Sequence, residues 1–285
     1  MNAWKNEGHV RVKFVASFLL AVLLVLGGAI TAMGDIDITI MSWNPSDASE
    51  VDFQTVPNGE DYVVAAIQAT GTDIAGLVEQ GSTAADVAST LGWYYYEWTA
   101  SRAIVSKYPI VEALPGGPGG YILAAKIRVS DSPVQDIIVT CGALSSQLYA
   151  SDEACTGQTP AQIIASENLE RMNPTWGIID QMAPYASDLA NTDNVPFFFC
   201  GDINTPSHLD WTAENNKGCQ IGAVALPVTI YLEDTLGLRD AYRQRHPDPV
   251  YSPGNTWSPL YYTLSTGQDR IDVINYKGSG VSLLD

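Results

Sequence analysis

The sequence predicts an α/β or α+β layered domain, and three observations lead to this fold class. Short β-branched or aromatic runs bounded by turn residues are mixed irregularly with stretches of helical periodicity. Hydrophobic residues make up 46% of the 285 residues, which is enough for a large core. No linker, low-complexity tract or repeat divides the chain, so one domain is expected after the N-terminal segment.

The first 34 residues have the order of an export signal. Basic residues precede an apolar run over residues 14–30, and the small residues Ala32 and Gly34 follow it. The run is also close to the length of a membrane-spanning helix, so an uncleaved anchor is the alternative. Either interpretation places the folded part outside the cytoplasm, secreted or membrane-anchored, and starts it near Asp35.

The elements expected in chain order begin with a strand at residues 36–43. Further strands are expected at 74–78, 103–106, 121–129, 137–141, 196–200 and 271–276. Helical patterns cover 61–70, 84–91, 160–186 and 228–236. Pro174 interrupts the third of these, which predicts a break near Asn173.

The exported portion is strongly acidic. Three of the 14 basic and one of the 32 acidic residues precede Asp35, so the remainder has a net charge of −20. Such a surface repels a long polyanion, which makes nonspecific duplex nucleic acid a poor partner and favours small phosphoesters or a substrate reached through a cation. Solubility in an external medium explains the acidity equally well. Oligomeric state does not follow from composition.

The four cysteines match no zinc-binding pattern. Cys155 and Cys219 lie in polar, loop-like sequence and form the preferred disulfide for an oxidising compartment. Cys141 and Cys200 end apolar runs, where buried free thiols are at least as good an interpretation.

Polar side chains follow or interrupt the apolar strands at five positions. Asn44, Glu79, Asp202 and Asn204 come directly after predicted strands, and Asp272 lies within the last one. Strand ends deliver side chains to a shared cleft, and these oxygens suit Mg²⁺, Mn²⁺ or Ca²⁺. Each residue alone has a structural explanation, such as a turn at Asn44 or a solvated strand end at Glu79. Because all five residues share this position at or in a strand, a common metal-binding site is favoured.

Five motifs in order resemble the endonuclease/exonuclease/phosphatase family. They are SWN at 42–44, DIAGLVEQ at 73–80, AIVSKYPI at 103–110, GDINTPS at 201–207 and DRIDVI at 269–274. Segments 204–211, 240–243 and 256–259, the last containing Trp257, further resemble exported bacterial-type members, and the motifs span the chain from residue 36 to near its end.

The resemblance implies a four-layer α/β/β/α sandwich of two mainly antiparallel sheets with outer helices. It also implies metal-dependent phosphoester hydrolysis, nuclease-like in chemistry, with Mg²⁺ or a similar ion. Glu79 would be the principal metal ligand and Asn44 would help to hold metal or phosphate. Asp202 would orient or activate water, Asn204 would bind phosphate, and Asp272 would support a histidine.

Two departures from the family pattern concern histidines. The family's histidine-leucine pair is replaced by Ala143-Leu144, and its final Ser-Asp-His box is not reached by Asp285. A positioned acid-base group contributes about 10²–10⁴-fold in rate, so activity is in question. His208 is a substrate-contact candidate and a weak one for replacing a catalytic histidine.

Other substrate-binding candidates are Arg102, Lys107 and Trp257, for which solvent-exposed charge or ordinary packing is the competing explanation. The aromatic run at residues 93–98 is expected to pack against a neighbouring strand rather than line a groove.

Three functions therefore stay open at the sequence level. The favoured one is a metal-dependent phosphoesterase. The second is a non-catalytic descendant that binds a phosphorylated ligand or a partner, and the third is an exported sugar-binding module.

Overall fold

Twelve strands and eight short α-helices make up the described chain in this computed structural model, which describes residues 8–14, 35–45, 59–99, 101–215, 219, 221–257 and 268–284. The strands are β1 Gly8–Phe14, β2 Ile36–Trp43, β3 Ile74–Val78, β4 Tyr94–Thr99, β5 Arg102–Ser106, β6 Ile110–Leu114, β7 Ile122–Asp131, β8 Val134–Ala143, β9 Phe197–Asp202, β10 Arg239–Asp240, β11 Asp272–Lys277 and β12 Val281–Leu283. The α-helices are α1 Gly59–Thr70, α2 Ala84–Leu91, α3 Ala150–Cys155, α4 Pro160–Leu169, α5 Ile178–Met182, α6 Ala186–Ala190, α7 Pro227–Ile230 and α8 Ala241–Arg245.

The strands form two six-stranded sheets. The first has the order β12-β1-β2-β3-β5-β4 and the second β10-β11-β9-β8-β7-β6. Only β2 with β3 and β8 with β9 pair in parallel among the described strands. Two mainly antiparallel sheets were expected, and that expectation is confirmed.

Three apolar clusters account for the layers. Alternate residues of the strands face inward between the sheets, including Ile38 and Phe198. Helices α1 and α2 bury Val63 and Val87 against the outer face of the first sheet. Helices α5 and α7 bury Met182 and Val228 on the outer face of the second. The four layers are therefore helix, sheet, sheet and helix, as expected.

The cysteines follow the expected division. Cys155 and Cys219 form a disulfide, whereas Cys141 and Cys200 are buried free thiols. The two thiols face Gly76 across the sandwich, where a Cβ would lie 3.2 Å from the Cβ of Cys200. Glycine at this position therefore lets the two sheets approach closely.

The long helical stretch breaks where proline predicted it. Helix α4 ends at Leu169 and regular helix resumes only at Ile178. Thr159 caps α4 through a reciprocal capping box with Gln162.

The aromatic run at residues 93–98 is only partly core. Trp93 and Tyr96 pack against the apolar clusters, as expected. Tyr94, Tyr95 and Trp98 are each about half exposed, because β4 is an edge strand of the first sheet. The packing interpretation is therefore wrong for these three.

The start of the fold also differs from expectation. Strand β1 comes from the predicted signal segment and pairs with β2 from Gly8↔Ser42 to Phe14↔Ile36. The first sheet thus begins before Asp35, while residues 15–34 lie outside the described ones. No helix within the described ranges is long and apolar enough to cross a bilayer.

Candidate active cleft

Strand register brings the predicted polar residues to one end of the sandwich. Parallel pairing of β2 with β3 places Asn44 and Glu79 at the same sheet edge. Antiparallel pairing of β11 with β9 sets Asp272 directly opposite Asp202. The two sheet ends enclose a cleft of about 410 Å³. Its walls are Asn44, Glu79, Ser146, Tyr149, Asp152, Asp202, Asn204, Thr256, Trp257, Ile271 and Asp272.

Glu79 presents an exposed carboxylate on a strained backbone. Its φ is 50°, a left-handed conformation that non-glycine residues seldom adopt. Its backbone N–H donates to the carbonyl of Ser101 at 2.6 Å, which anchors it to the start of β5. Strain of this kind persists where neighbouring structure enforces it, and it concentrates at functional sites.

A short hydrogen-bond chain fixes Asp202. Asn44 Nδ2 donates to Asp202 Oδ2 at 3.1 Å, and the backbone N–H of Asn204 donates to Asp202 Oδ1 at 2.8 Å. Asn204 Nδ2 donates in turn to the carbonyl of Leu144 at 2.9 Å. Asn204 is also left-handed, with φ 50°. Three predicted residues are thus held in one network.

Burial raises the pKa of both aspartates. Burial, with a smaller contribution from Glu79, raises the pKa of Asp202 to about 6, although donors on Asn204 and Asn44 oppose the shift. Burial and the neighbouring Asp202 raise the pKa of Asp272 well above its ordinary value. Asp272 Oδ1 is buried without a hydrogen-bond partner among the described residues. If both carboxylates were ionised, they would repel each other, and a bound cation would relieve that repulsion.

The donor set fits a hard divalent ion. Carboxylate and amide oxygens surround the cleft, and its lining in the described chain includes no lysine, arginine or histidine. No group of three or more His, Cys, Asp or Glu side chains in the described ranges is arranged to hold a metal alone. Mg²⁺ commonly uses one or two protein carboxylates together with water and substrate phosphate, so the set suits it.

Strand β11 is held by a buried ion cluster that sequence reasoning missed. Arg270 contacts Asp210 at 3.1 Å and Asp240 at 2.7 Å, and Arg243 also contacts Asp210. The members are distant in sequence, so no local motif reveals them. The cluster fixes the DRID segment and with it Asp272.

Tyr149 and Asp152 are further wall residues that sequence reasoning missed. Tyr149 donates from its hydroxyl to Asp269 Oδ2 at 2.8 Å, and Trp211 Nε1 donates to Asp269 Oδ1 at 3.0 Å. Asp269, the first residue of the DRID motif, thus ties this wall to β11. The signal that could have identified them is a tyrosine, Tyr149, directly before the acidic first turn of α3.

Arg171 supports the same wall through hydrogen bonds to the backbone that precedes Tyr149. It is fully buried, pairs with Glu167 at 2.9 Å, and donates to the carbonyls of Gln147 and Leu148. Burial raises the pKa of Glu167 to about 7, against the opposing effect of Arg171.

Two predicted substrate contacts lie away from the cleft. His208 is engaged with Thr229, at 2.8 Å, and Glu233, at 3.4 Å, and does not line the cleft. Lys107 pairs with Asp73 at 2.9 Å. Asp73 precedes β3 whereas Glu79 follows it, so Lys107 is at the opposite end of the sheet. Neither residue lines the cleft: Lys107 follows β5 at the far end of the sheet, and His208 lies in the loop beyond Ser207, where it contacts Thr229.

Arg102 and Trp257 lie near or in the cleft. Trp257 lines it and is 45% exposed. Arg102 pairs with Val78, the residue before Glu79, and its guanidinium interacts electrostatically with Glu79. Ala143, where the family resemblance implies a histidine, is buried and pairs with Asp202 in the β8–β9 ladder.

Fold and cleft together define an α/β/β/α sandwich with an acidic cleft at its strand ends. No family profile matches the chain. A Caenorhabditis elegans protein described as uncharacterized is 36% identical over 124 residues, covering 41% of this chain and 39% of that protein. The chain therefore matches well under half of that relative's length.

Several solved structures are similar at low identity. The human Nocturnin catalytic domain with bound sulfate is 14% identical with a TM-score of 0.45, covering 84% of this chain and 82% of that one. Truncated TDP2 from Caenorhabditis elegans is 16% identical with a TM-score of 0.46, covering 85% and 84%. An endonuclease/exonuclease/phosphatase from Beutenbergia cavernae is 16% identical with a TM-score of 0.46, covering 83% and 63%.

Proposed function

We propose that this chain is a metal-dependent phosphoesterase of the endonuclease/exonuclease/phosphatase family, acting on phosphodiesters. The observation that carries the proposal is the convergence of Asn44, Glu79, Asp202, Asn204 and Asp272 on one cleft. Their motifs are separated by long stretches of chain, so their meeting at one sheet end is what a shared chemical role requires.

The residues divide the chemistry among them. Glu79 and the amide oxygen of Asn44 would hold Mg²⁺ or Mn²⁺, which when bound supplies positive charge to the phosphoryl oxygens. Asp202, with its pKa raised to about 6, is a stronger base than an ordinary aspartate and still ionised at neutral pH. It would accept a proton from the attacking water, while Asn204 donates to a phosphoryl oxygen.

Hydrolysis of bis(4-nitrophenyl) phosphate in Mg²⁺ or Mn²⁺ tests this proposal. We expect turnover that falls by about 10²–10⁴-fold in Asp202→Asn. Asp131→Asn is the matched control, because Asp131 is exposed and outside the cleft. Equal rates in the wild type and Asp202→Asn would rule out Asp202 as the proton acceptor in this reaction.

A second candidate is a non-catalytic phospho-ligand binder, favoured by Ala143 beside Asp202 where a histidine is expected. It predicts metal-dependent binding of a phosphodiester with no detectable turnover. Titration calorimetry with dimethyl phosphate, run beside the turnover assay, separates the two.

We propose that the protein acts outside the cytoplasm. The basic head and apolar run motivate export, and the Cys155–Cys219 disulfide suits an oxidising compartment. Cleavage after residue 34 would remove β1, so β1 would exist only in the uncleaved chain. N-terminal sequencing of the cell-expressed protein decides: a start near Asp35 supports cleavage, and an intact Met1 in a cytoplasmic fraction contradicts export.

A further inference from the structure

Two exposed aromatic residues lie beyond Glu79 at the same end of the sandwich. Strand β5 runs antiparallel to β3 and β4, so Arg102 and Trp98 share the end at which Glu79 lies. In the second sheet, β7 begins at Ile122 opposite Gly142, which places Tyr121 at that end too. The side chains of Trp98 and Tyr121 are 51% and 36% exposed.

Consecutive glycines leave space for both rings. Gly120 has φ +66°, and a Cβ added there would lie 2.5 Å from the Trp98 indole. Gly119 has φ +84°, and its added Cβ would lie 2.8 Å from the Tyr121 ring. Any side chain at either position would displace an aromatic ring. The loop before β7 therefore packs against both rings, and both side chains stay partly exposed.

The side chain of Arg102 connects these rings with Glu79 of the cleft. The Arg102 guanidinium lies over the Tyr121 ring, 5.4 Å from its centroid, and interacts with Glu79. Its Nε is buried with no hydrogen-bond partner among the described residues. Ser101, the residue before it, accepts the backbone N–H of Glu79. Arg102 thus connects Glu79 of the cleft with Tyr121, and Tyr121 and Trp98 flank the cleft without lining it.

We propose that Trp98 and Tyr121 form a platform that stacks with the nucleobase of a phosphodiester substrate held at Glu79. The inference deepens the proposed phosphoesterase function and rests on it. A flat aromatic ring next to a phosphoester is a property of nucleotides, whereas inositol phosphates and simple alkyl phosphodiesters lack one. The net charge of −20 after residue 34 disfavours long polyanions, so the ligand is a short single strand or dinucleotide.

Binding of the dinucleotide dTpdT, compared with dimethyl phosphate, tests the platform by titration calorimetry in Mg²⁺. All proteins carry Asp202→Asn to suppress turnover, so the result does not depend on catalysis. Trp98→Ala is expected to weaken dTpdT binding by roughly 5- to 100-fold and to leave dimethyl phosphate binding unchanged. Trp98→Phe should keep most of the affinity, and Trp98→Leu should lose it.

Trp176→Ala is the matched control, since Trp176 is 42% exposed and lines no part of the cleft. Its dTpdT affinity should equal that of the background. The platform is overturned if dTpdT does not bind, if Trp98→Ala or Trp98→Leu binds it as tightly as the background, or if dimethyl phosphate loses affinity in parallel. Hydrolysis by the wild type with unaltered binding in the Trp98 variants would leave the phosphoesterase standing and remove the platform alone.

Discussion

Burial makes the carboxylate of Asp202 a stronger base and, at the same time, makes its ionised form less favourable in the folded protein. Its surroundings exclude water, and Glu79 and Asp272 place further negative charge nearby. A carboxyl whose pKa lies near 6 is a better proton acceptor than an ordinary one and remains ionised at pH 7. The same burial makes ionisation costly for the folded state.

The stability consequence has a definite sign. The folded pKa of Asp202, about 6, lies above the ordinary 3.8, so its contribution to stability is complete below pH 3.8 and is lost as pH rises through 6. In metal-free buffer, Asp202→Asn should therefore unfold with a larger free energy than wild type at pH 8, by up to about 3 kcal/mol. The difference should shrink towards pH 4. Urea unfolding at both pH values measures it, and a difference independent of pH would contradict the assigned cause.

Among the elements, β11 is held by its pairing with β9 and by a buried ion cluster at the segment that leads into it. Removing one member leaves opposite charges buried without a partner, which costs about 3–5 kcal/mol. Arg270→Met should show such a loss in urea unfolding, because Asp240 loses its arginine side-chain partner and Asp210 keeps only Arg243. Arg128→Met, which breaks a more exposed pair with Asp136, should show a much smaller one. Equal losses would mean that the cluster does not hold β11.

The disulfide joins α3 to residue 219 in a different part of the chain. It closes a loop with a sequence separation of 64, and loss of such a link typically costs about 2–5 kcal/mol. Cys155→Ala should lower the melting temperature and abolish the effect of a reductant. In Cys141→Ala, which keeps the disulfide, the reductant should still lower the melting temperature. Reductant sensitivity that persists in Cys155→Ala would contradict the assignment.

At the scale of the whole molecule, sequence patterns predicted the central strands well and the edges poorly. Residues 74–78 are predictable because burial on both faces leaves a continuous apolar run, and residues 36–43 because β-branched and apolar residues alternate with polar ones. Strand β6 has exposed residues in its middle, and β10 has only two residues, so neither leaves such a pattern. Strand β4 has the aromatic composition of a strand, but composition does not reveal that it forms an edge.

The residues of the site likewise fall into those that the sequence predicts and those that it does not. Asn44, Glu79 and Asp202 were predictable because the first two directly follow a buried strand and the third ends one. The wall residues Tyr149 and Asp152 come from a loop and helix whose position depends on tertiary contacts with Asp269 and Arg171. Local sequence likewise does not state which end of a sheet a residue reaches, which is why the placement expected for Lys107 and His208 differs from the structure.

Under the proposed function one cation organises the cleft through Glu79, and titration calorimetry with Mg²⁺ or Mn²⁺ measures its binding. We expect the wild type to bind the ion and Glu79→Gln to bind it about tenfold or more weakly. Glu112→Gln, which removes an exposed carboxylate of β6 outside the cleft, should bind as the wild type does. No binding by the wild type, or identical binding by Glu79→Gln, would contradict the account.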